Sequence, residues 1–494
     1  MSPPSDPSRT GPVLVWFRQD LRLADNPALH HAARTGRPVV PVYVLDDETP
    51  GDWRPGGASR WWLHHSLAAL AADLARLGSP LILRRGRADV AIRTLVGETG
   101  ADTVVWNRCY EPYAIARDSQ IKADLKAAGI EVLSHPGNVL NEPWTVQTGA
   151  GQPYKVFTPF SRAVFARTDP GAPLPRPDRL APPPRMPESE RLADWGLHPS
   201  DPDWSTGFTP LWTPGEAGAW ARLERFLATA CVGYREGRDI PGRDGTSRLS
   251  PHLHFGEISA LDVWRQGQAL AARDSRPLCR EHVDAFLREI VWRDFGQNLL
   301  YHFPTLPDRP LNPRFESFPW TNDPAALRAW TRGRTGYPIV DAGIRQLWAT
   351  GWMHNRVRMI VGSLLVKHLL LPWREGERWF WDTLVDADLG NNAAGWQWIA
   401  GCGADAAPYF RVFNPVLQGQ KFDPDGAYVR TWVPELANLP AQFIHAPWRA
   451  PEDALRRAGV RLGDDYPRPI IDHAAGRDRA LAAFAEIKDN SDAA

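Results

Sequence analysis

The sequence predicts two fold classes in one chain: an α/β half on a doubly wound parallel sheet and, after a long connector, an all-α half. Three observations carry that prediction. Residues 11–135 alternate short β-branched runs with amphipathic stretches, residues 168–215 are crowded with proline, and from about 216 the periodicity is almost wholly helical. At 494 residues the chain exceeds the roughly 250–300 at which a single core stops growing, so more than one domain is required. The expected boundaries are 11–138 for the α/β domain, 139–215 for the connector and 216–475 for the helical domain.

GPVLVWF (11–17), PVVPVYVLDD (38–47), PLILRR (80–85), DTVVWN (102–107) and IEVLS (130–134) are apolar runs long enough for buried strands. Between them SRWWLHHSLAALAADLARLG (59–78) and PYAIARDSQIKADLKAAG (112–129) read as helices, the second with proline where a first turn tolerates it. No GxGxxG follows the first strand and no GxxxxGK[ST] occurs, which argues against a standard dinucleotide or nucleoside-triphosphate site in this domain. In APLPRPDRLAPPPRMP (172–187) each proline removes an N–H and fixes φ, so this stretch is expected to pack over the surface as a connector. Helices are expected at 219–230, 258–274, 280–300 and 355–371, with a short tail after 480.

Composition excludes several classes. Lys plus Arg and Asp plus Glu each number 57, so the net charge is zero and any basic surface must be gathered locally. The four cysteines, Cys109, Cys231, Cys279 and Cys402, form no CxxC pair, which argues against zinc or a disulfide framework; no metal is expected. MSPPSDPSRT lacks the apolar core of a secretion signal and no run is long enough to span a bilayer, so a cytoplasmic location without a membrane partner is expected. The outlier is tryptophan, at 23 residues. Most of these indoles belong in cores, but so many invite a search for stacking or redox roles.

Three constellations carry chemistry. In RDIPGRDGTSRLSPHLHFGEIS (238–259) Gly245, Thr246, Ser247 and Ser250 set hydroxyls at a turn, with Ser250 as an expected N-cap ahead of Pro251. Such a turn can hold phosphate, although a capped turn without a ligand is the commoner meaning. In FLREIVWRDFG (286–296) Glu289, Trp292, Arg293 and Gly296 share a helix face, while Leu287, Ile290, Val291 and Asp294 point elsewhere. That stripe suits a planar, hydrogen-bonding ligand; spacing alone favours a plain Glu289–Arg293 pair at i, i+4. In GWMHNRVRM (351–359) Asn355, Arg356 and Arg358 stand where an apolar helix enters a core, and Asp386 and Asp388 of DADLGNNAAGWQW (386–398) are natural partners for the charges.

Together LVWFRQDLRLADNPAL, GTSRLSP, TGYPIVDAGIRQLWATGWMHNRVRM, WREGERWFWDTLVDADLGNNAAGWQWIAG and DAAPYFRVFNPVLQGQKFD resemble the photolyase/cryptochrome flavoprotein family, over about residues 12–475 and most densely in 334–423. Within it the strings look most like the microbial class I-type enzymes that repair cyclobutane pyrimidine dimers. The resemblance implies that the helical domain binds FAD in a bent conformation. By matching motifs, Tyr234 and the turn Thr246, Ser247, Arg248, Leu249 and Ser250 would hold its phosphates, while Arg358, Asp386, Ala387, Asp388 and Asn392 would surround the ring system. Glu289, Trp292, Arg293, Asn355, Arg356, Met359, Trp398 and Gln418 would line the cavity that receives the lesion. Arg238, Arg411 and Lys421, with the run at Arg328, Arg332 and Arg334, would gather phosphates. Trp396, Trp373 and Trp320 match a chain that passes electrons to the flavin; with Glu289 and Asn392 they complete the expected catalytic set.

The implied function is light-dependent repair of pyrimidine dimers in single- or double-stranded ultraviolet-damaged DNA, by electron transfer from excited reduced FAD. Asn392 suits the redox-active edge because a neutral amide both donates and accepts, whereas an aspartate would repel negative charge on the ring. The small residues Gly390, Ala393, Ala394 and Gly395 let backbone come near the cofactor. WNRCYEP (106–112) suggests an antenna pocket with Asn107 and Glu111, methenyltetrahydrofolate being favoured over 8-hydroxydeazaflavin. The main alternative is a blue-light signalling cryptochrome without repair activity. Against it stand Trp292, Asn355 and Trp398, which match repair enzymes, and a chain end soon after the helical domain. A (6-4) photolyase is disfavoured by the HNR at 354–356, and a generic flavin oxidoreductase has no use for a tryptophan chain. A monomer is expected.

Overall fold

The computed structural model describes residues 9–167, 171–273, 277–405 and 411–492. Most of MSPPSDPSRT, residues 168–170 of the connector, Asp274 of the expected 258–274 helix and residues 406–410 of the DAAPYFRVFNP string lie outside them. The chain forms two compact units: Met1–Asp203 with Trp212–Thr229 and Ser247–Pro304, and Trp204–Leu211 with Ala230–Thr246 and Thr305–Ala494.

In the first unit the five expected strands form one parallel sheet. β1 (Val13–Phe17), β2 (Val39–Leu45), β3 (Ile82–Arg85), β4 (Thr103–Asn107) and β5 (Glu131–His135) lie in the order β3-β2-β1-β4-β5. Val13 pairs with both Val39 and Thr103. Continuous apolar runs follow from burial on both faces. Pro41 interrupts β2 without breaking the ladder because β3 begins only at Val42↔Ile82, which leaves the edge beside Pro41 unpaired there. The 59–78 and 112–129 readings correspond to helices Gly57–Leu77 and Pro112–Ala127, the latter with its proline in the first turn.

The expected domain limits do not match the units. The connector contains helix Phe157–Arg167 and packs on the sheet domain, held by hydrogen bonds from Leu180 to Leu77 (2.8 Å), Val39 to Ala181 (2.7 Å) and Glu190 to Leu83 (3.0 Å). Of the helical half, Trp212–Thr229 and Ser247–Pro304 also belong to the first unit. Buried carboxylates explain why. Glu216 accepts from the backbone N–H of Leu23 (2.8 Å) and Ala24 (3.1 Å), and Asp294 from Leu140 (3.1 Å) and Asn141 (2.8 Å). Charged acceptors that replace a missing backbone partner are costly to remove, so they fix the N-terminal segments against these helices.

The second unit is helical. Its core gathers Trp330, Tyr337, Met353, Leu364, Trp373, Phe380, Trp396 and Tyr428. The expected 355–371 helix is two pieces, an α-helix Asn355–Ser363 and a π-turn Leu364–His368, ending where Leu370 takes φ +54°. Reaching beyond the expected limit at 475, His473–Asp492 is a helix whose Ala480, Ala483 and Ile487 enter the core.

The TGYPIVDAG string is explained by one carboxylate. Asp341, fully buried, accepts from the Thr335 N–H and hydroxyl (2.7 Å each), the Gly336 N–H (3.0 Å) and the Tyr466 hydroxyl (2.6 Å). Asp341→Ala would strand four buried donors. It should lower stability by about 3–5 kcal/mol, read as a fall in the urea midpoint of the second unit; a loss within about 1 kcal/mol would refute the role given to Asp341.

Candidate functional site

In the second unit the charged entrance to helix Asn355–Ser363 is built as the sequence suggests. His354 caps the helix, its Nδ1 accepting from the Arg356 N–H at 3.2 Å. Arg358 donates from Nε to the Met353 carbonyl (2.8 Å) and from Nη2 to both oxygens of Asp386 (3.1 and 2.8 Å). The Asp386 side chain is 3 % exposed and that of Arg358 23 %, so the carboxylate is the buried partner. Asp388 caps helix Leu389–Ala400, its Oδ1 accepting from the Asn391 N–H (2.9 Å) and side-chain amide (2.7 Å).

Asn392 lies one residue further along and is half-buried. One side-chain N–H donates to the Glu377 carbonyl at 3.0 Å, while its amide oxygen keeps its lone pairs free of hydrogen bonds. Arg358 Nη1 is likewise uncommitted. A balanced ion pair, an amide that can still donate or accept and a free guanidinium N–H form a donor set that fits the edge of a flavin ring. Gly390 and Ala393 are buried, whereas Gly395 is exposed with nothing around its missing side chain. Ala387 is also buried.

The expected phosphate turn differs from its sequence reading. Helix Ser250–His254 starts at Ser250 itself; the cap position is Leu249, in αR geometry and without a side-chain cap bond. An N-cap needs an extended residue whose oxygen reaches back to the first N–H groups, and here the strained residue is Arg248, at φ +50°. Ser250 is therefore exposed rather than capping, and the Ser247 hydroxyl accepts a long 3.4 Å bond from Leu249. In the other unit Tyr234 is buried, with the Arg238 guanidinium 5.3 Å from its ring centre, and Thr246 is half-buried.

The expected DNA residues differ in exposure. Asn355 and Lys421 are exposed, while Met359 and Gln418 are half-buried. Trp398 and Arg411 line a small cavity of about 20 Å³ with Ser363, Lys367, Ile399, Gly401 and Phe413, and burial pushes the Lys367 amine down to about 7. Arg328, Arg332 and Arg334 are exposed. In the first unit Glu289 is half-buried, and one face of the Trp292 indole is stacked on Phe157 at 3.5 Å and 7°. Arg293 is half-buried and its guanidinium donates to the carbonyls of Asn138 and Leu253, which ties it to the fold through two of its five N–H groups.

Trp396 (2 % exposed) and Trp373 (3 %) share the second unit's core, and half-buried Trp320 packs at its margin. Glycine makes room for the first of these. A Cβ on Gly376 would lie 2.0 Å from the Trp396 ring and one on Gly362 3.4 Å away. Phe380 (5.0 Å) and Trp330 (6.2 Å) meet Trp396 edge-on.

Sequence reasoning missed Phe157, Asp239, Phe422 and Glu377. The first three touch expected residues only through the tertiary fold; Glu377 left a local signal, an acid four residues after Trp373 on the same helix face. It is fully buried with neither carboxyl oxygen hydrogen-bonded, and burial, reinforced by Asp308, holds its pKa well above the usual glutamate range.

Of the antenna pair, Asn107 is structural. Its amide donates to Asp20 (2.6 Å) and Asn26 (2.8 Å) and its oxygen accepts from Ala28 (3.0 Å), leaving no N–H for a pigment. Glu111 binds Gln19 through Oε1, but its buried Oε2 has no partner. Among the described residues no group of three His, Cys, Asp or Glu could hold a metal ion.

Comparison with known proteins adds to this geometry. Family models described as "DNA photolyase" and "FAD binding domain of DNA photolyase" match residues 13–178 and 286–486. A deoxyribodipyrimidine photo-lyase of Agrobacterium fabrum is 53 % identical over 97 % of this chain and 99 % of its own length. Cryptochrome-2 of Arabidopsis thaliana is 41 % identical over 97 % of this chain and 79 % of its own. The crystal structure of a bacterial class III photolyase from Agrobacterium tumefaciens superposes with a TM-score of 0.94 at 52 % identity, covering 97 % of this chain and 98 % of that one. The class I-type expectation is thus not upheld: the close structural match is a class III enzyme.

The state of Glu377 sets a pH dependence. Above about pH 4.5 the unfolded chain releases this proton while the folded chain retains it, so stability falls as pH rises through that window. Glu377→Gln keeps the shape and removes the penalty. Relative to the parent, it should gain more in urea midpoint at pH 8 than at pH 5; an equal difference at both would show that the carboxyl ionises freely.

Proposed function

The chain belongs to the DNA photolyase family, and from that premise we propose that it is a deoxyribodipyrimidine photo-lyase, repairing cyclobutane pyrimidine dimers in DNA under near-ultraviolet or blue light. The observation that carries this reading is the set around Arg358–Asp386 and Asn392, which fits a flavin and lies beside a buried tryptophan core. A signalling cryptochrome is the weaker alternative, its relative standing at 41 % identity against 53 % for the photo-lyase.

When bound and reduced, FAD supplies on excitation the electron that opens the dimer. The protein's part is binding, orientation and electrostatics. Arg358 and Asp386 hold a field of zero net charge beside the ring, Asn392 presents an amide able to match either protonation state of the ring edge, and Tyr234 with Thr246–Ser250 is assigned to the phosphates. Extrusion of the damaged bases is the general rule for photolyases and is not read from this structure. By resemblance Glu289, Trp292, Asn355, Arg356, Met359, Trp398 and Gln418 are assigned to the lesion; Arg238, Arg411 and Lys421 to backbone phosphates. Arg293, two of whose N–H groups go to the carbonyls of Asn138 and Leu253, is assigned to the lesion through the remaining ones. A folate-type antenna pigment is proposed for the first unit, resting on the unpartnered Glu111 oxygen. The protein is proposed to act as a cytoplasmic monomer on single- or double-stranded DNA; no described helix is long and apolar enough to cross a membrane.

Purified reduced protein should restore dimer-containing DNA under blue light and not in the dark; equal yields in both would overturn the assignment. Trp396→Phe should abolish photoreduction of the oxidised protein while chemically reduced protein still repairs. Photoreduction at the parent rate would reject the tryptophan route and leave the repair assignment standing.

A further inference from the structure

Arg356, assigned above to the DNA, already has an acidic partner. Its Nη2 donates to Asp239 Oδ1 at 2.9 Å and its Nε to the same oxygen at 3.3 Å. Its Nη1 lies 3.7 Å from the Met359 sulfur, and the guanidinium carbon is 4.5 Å from the centre of the Phe422 ring. The pair is partly open to solvent, at 22 % for the arginine side chain and 33 % for the aspartate.

Such a half-exposed pair contributes little to folding, on the order of 0–1 kcal/mol. The Phe422 face and the Met359 sulfur would hold the guanidinium in place whether or not the carboxylate engages it. Asp239 therefore does something other than position a floppy side chain: it cancels the charge that Arg356 offers to an approaching polyanion. Only one carboxylate oxygen is engaged, so a phosphate that presents two oxygens in the guanidinium plane can displace it. An intact backbone passing outside must approach against the aspartate, whereas a backbone opened by base extrusion brings its phosphate close enough to compete.

We propose that Asp239 is a specificity-determining residue, holding Arg356 neutral against undamaged DNA and yielding it to the distorted backbone at a lesion. The inference rests on the reading that Arg356 contacts DNA. Asp239→Asn should raise affinity for undamaged duplex about three- to fivefold at low salt and steepen the dependence of log affinity on log salt by about one. Affinity for dimer-containing duplex should change less, so discrimination falls, and Asp239→Glu should restore it. Fluorescence anisotropy across a salt series, with the same duplex with and without a dimer, reads all of these. If Asp239→Asn lowers the unfolding midpoint, Asp239→Ser carries the same charge test. Unchanged undamaged-DNA affinity and slope, or an equal rise for both duplexes, overturns the proposal. Arg356→Ala separates the two readings: if it does not weaken DNA binding, the assignment of Arg356 fails; if it does while Asp239→Asn has no effect, only the role of Asp239 fails.

Discussion

The site depends on the ion pair between Arg358 and Asp386. It joins the entrance of helix Asn355–Ser363 to the segment that leads into helix Leu389–Ala400, and the two backbones approach as closely as glycine permits. Val385 donates to the Gly351 carbonyl at 2.8 Å, and a Cβ on Gly351, itself at φ +67°, would meet Val385 at 2.6 Å and Phe208 at 2.8 Å. Asn392, Trp396 and Trp398 inherit their positions from this junction. A buried pair of this kind is weak evidence for stability, since apolar replacements are often as stable. Its value here is placement and charge balance: it sets a fixed dipole beside Asn392 with no net charge to bias whatever binds there.

What the sequence reveals follows from how local each constraint is. The five strands were readable because burial on both faces forces unbroken β-branched runs, and Arg358–Asp386 because charges at the mouth of an apolar helix require partners. The capping role of Ser250 was misjudged because the residue type satisfies the rule while the backbone does not: Leu249 is αR and Arg248 takes the positive φ. Arg293 lies on the stripe that spacing identifies, yet its guanidinium goes to two carbonyls that only the folded chain brings near. Asp239 lies 117 positions from Arg356, and no periodicity connects them. The two compact units depart from the expected limits for a related reason. Glu216 and Asp294 sit in helical sequence but accept from N-terminal backbone, and one buried carboxylate with two such bonds outweighs the composition of the segment around it.

The tryptophans show how a compositional excess becomes a directed arrangement. Trp396 is enclosed edge-on by Phe380 and Trp330, pressed by Gly376 and Gly362, and its indole N–H has no acceptor. Burial raises the pKa of Glu377 on the neighbouring helix, which disfavours a negative counter-charge there. A positive charge in such surroundings is poorly stabilised. Exposure then increases from Trp396 at 2 % and Trp373 at 3 % to half-buried Trp320 at the margin of the core. Water lowers the energy of a charge far more than an apolar core does, so the gradient favours a hole moving outward and disfavours its return. An ionised Glu377 would reverse part of that bias by anchoring the charge within the core. The raised Glu377 pKa and the unpaired indole N–H thus work in one direction: the residues deepest in the proposed route are those least able to hold the charge that passes through them.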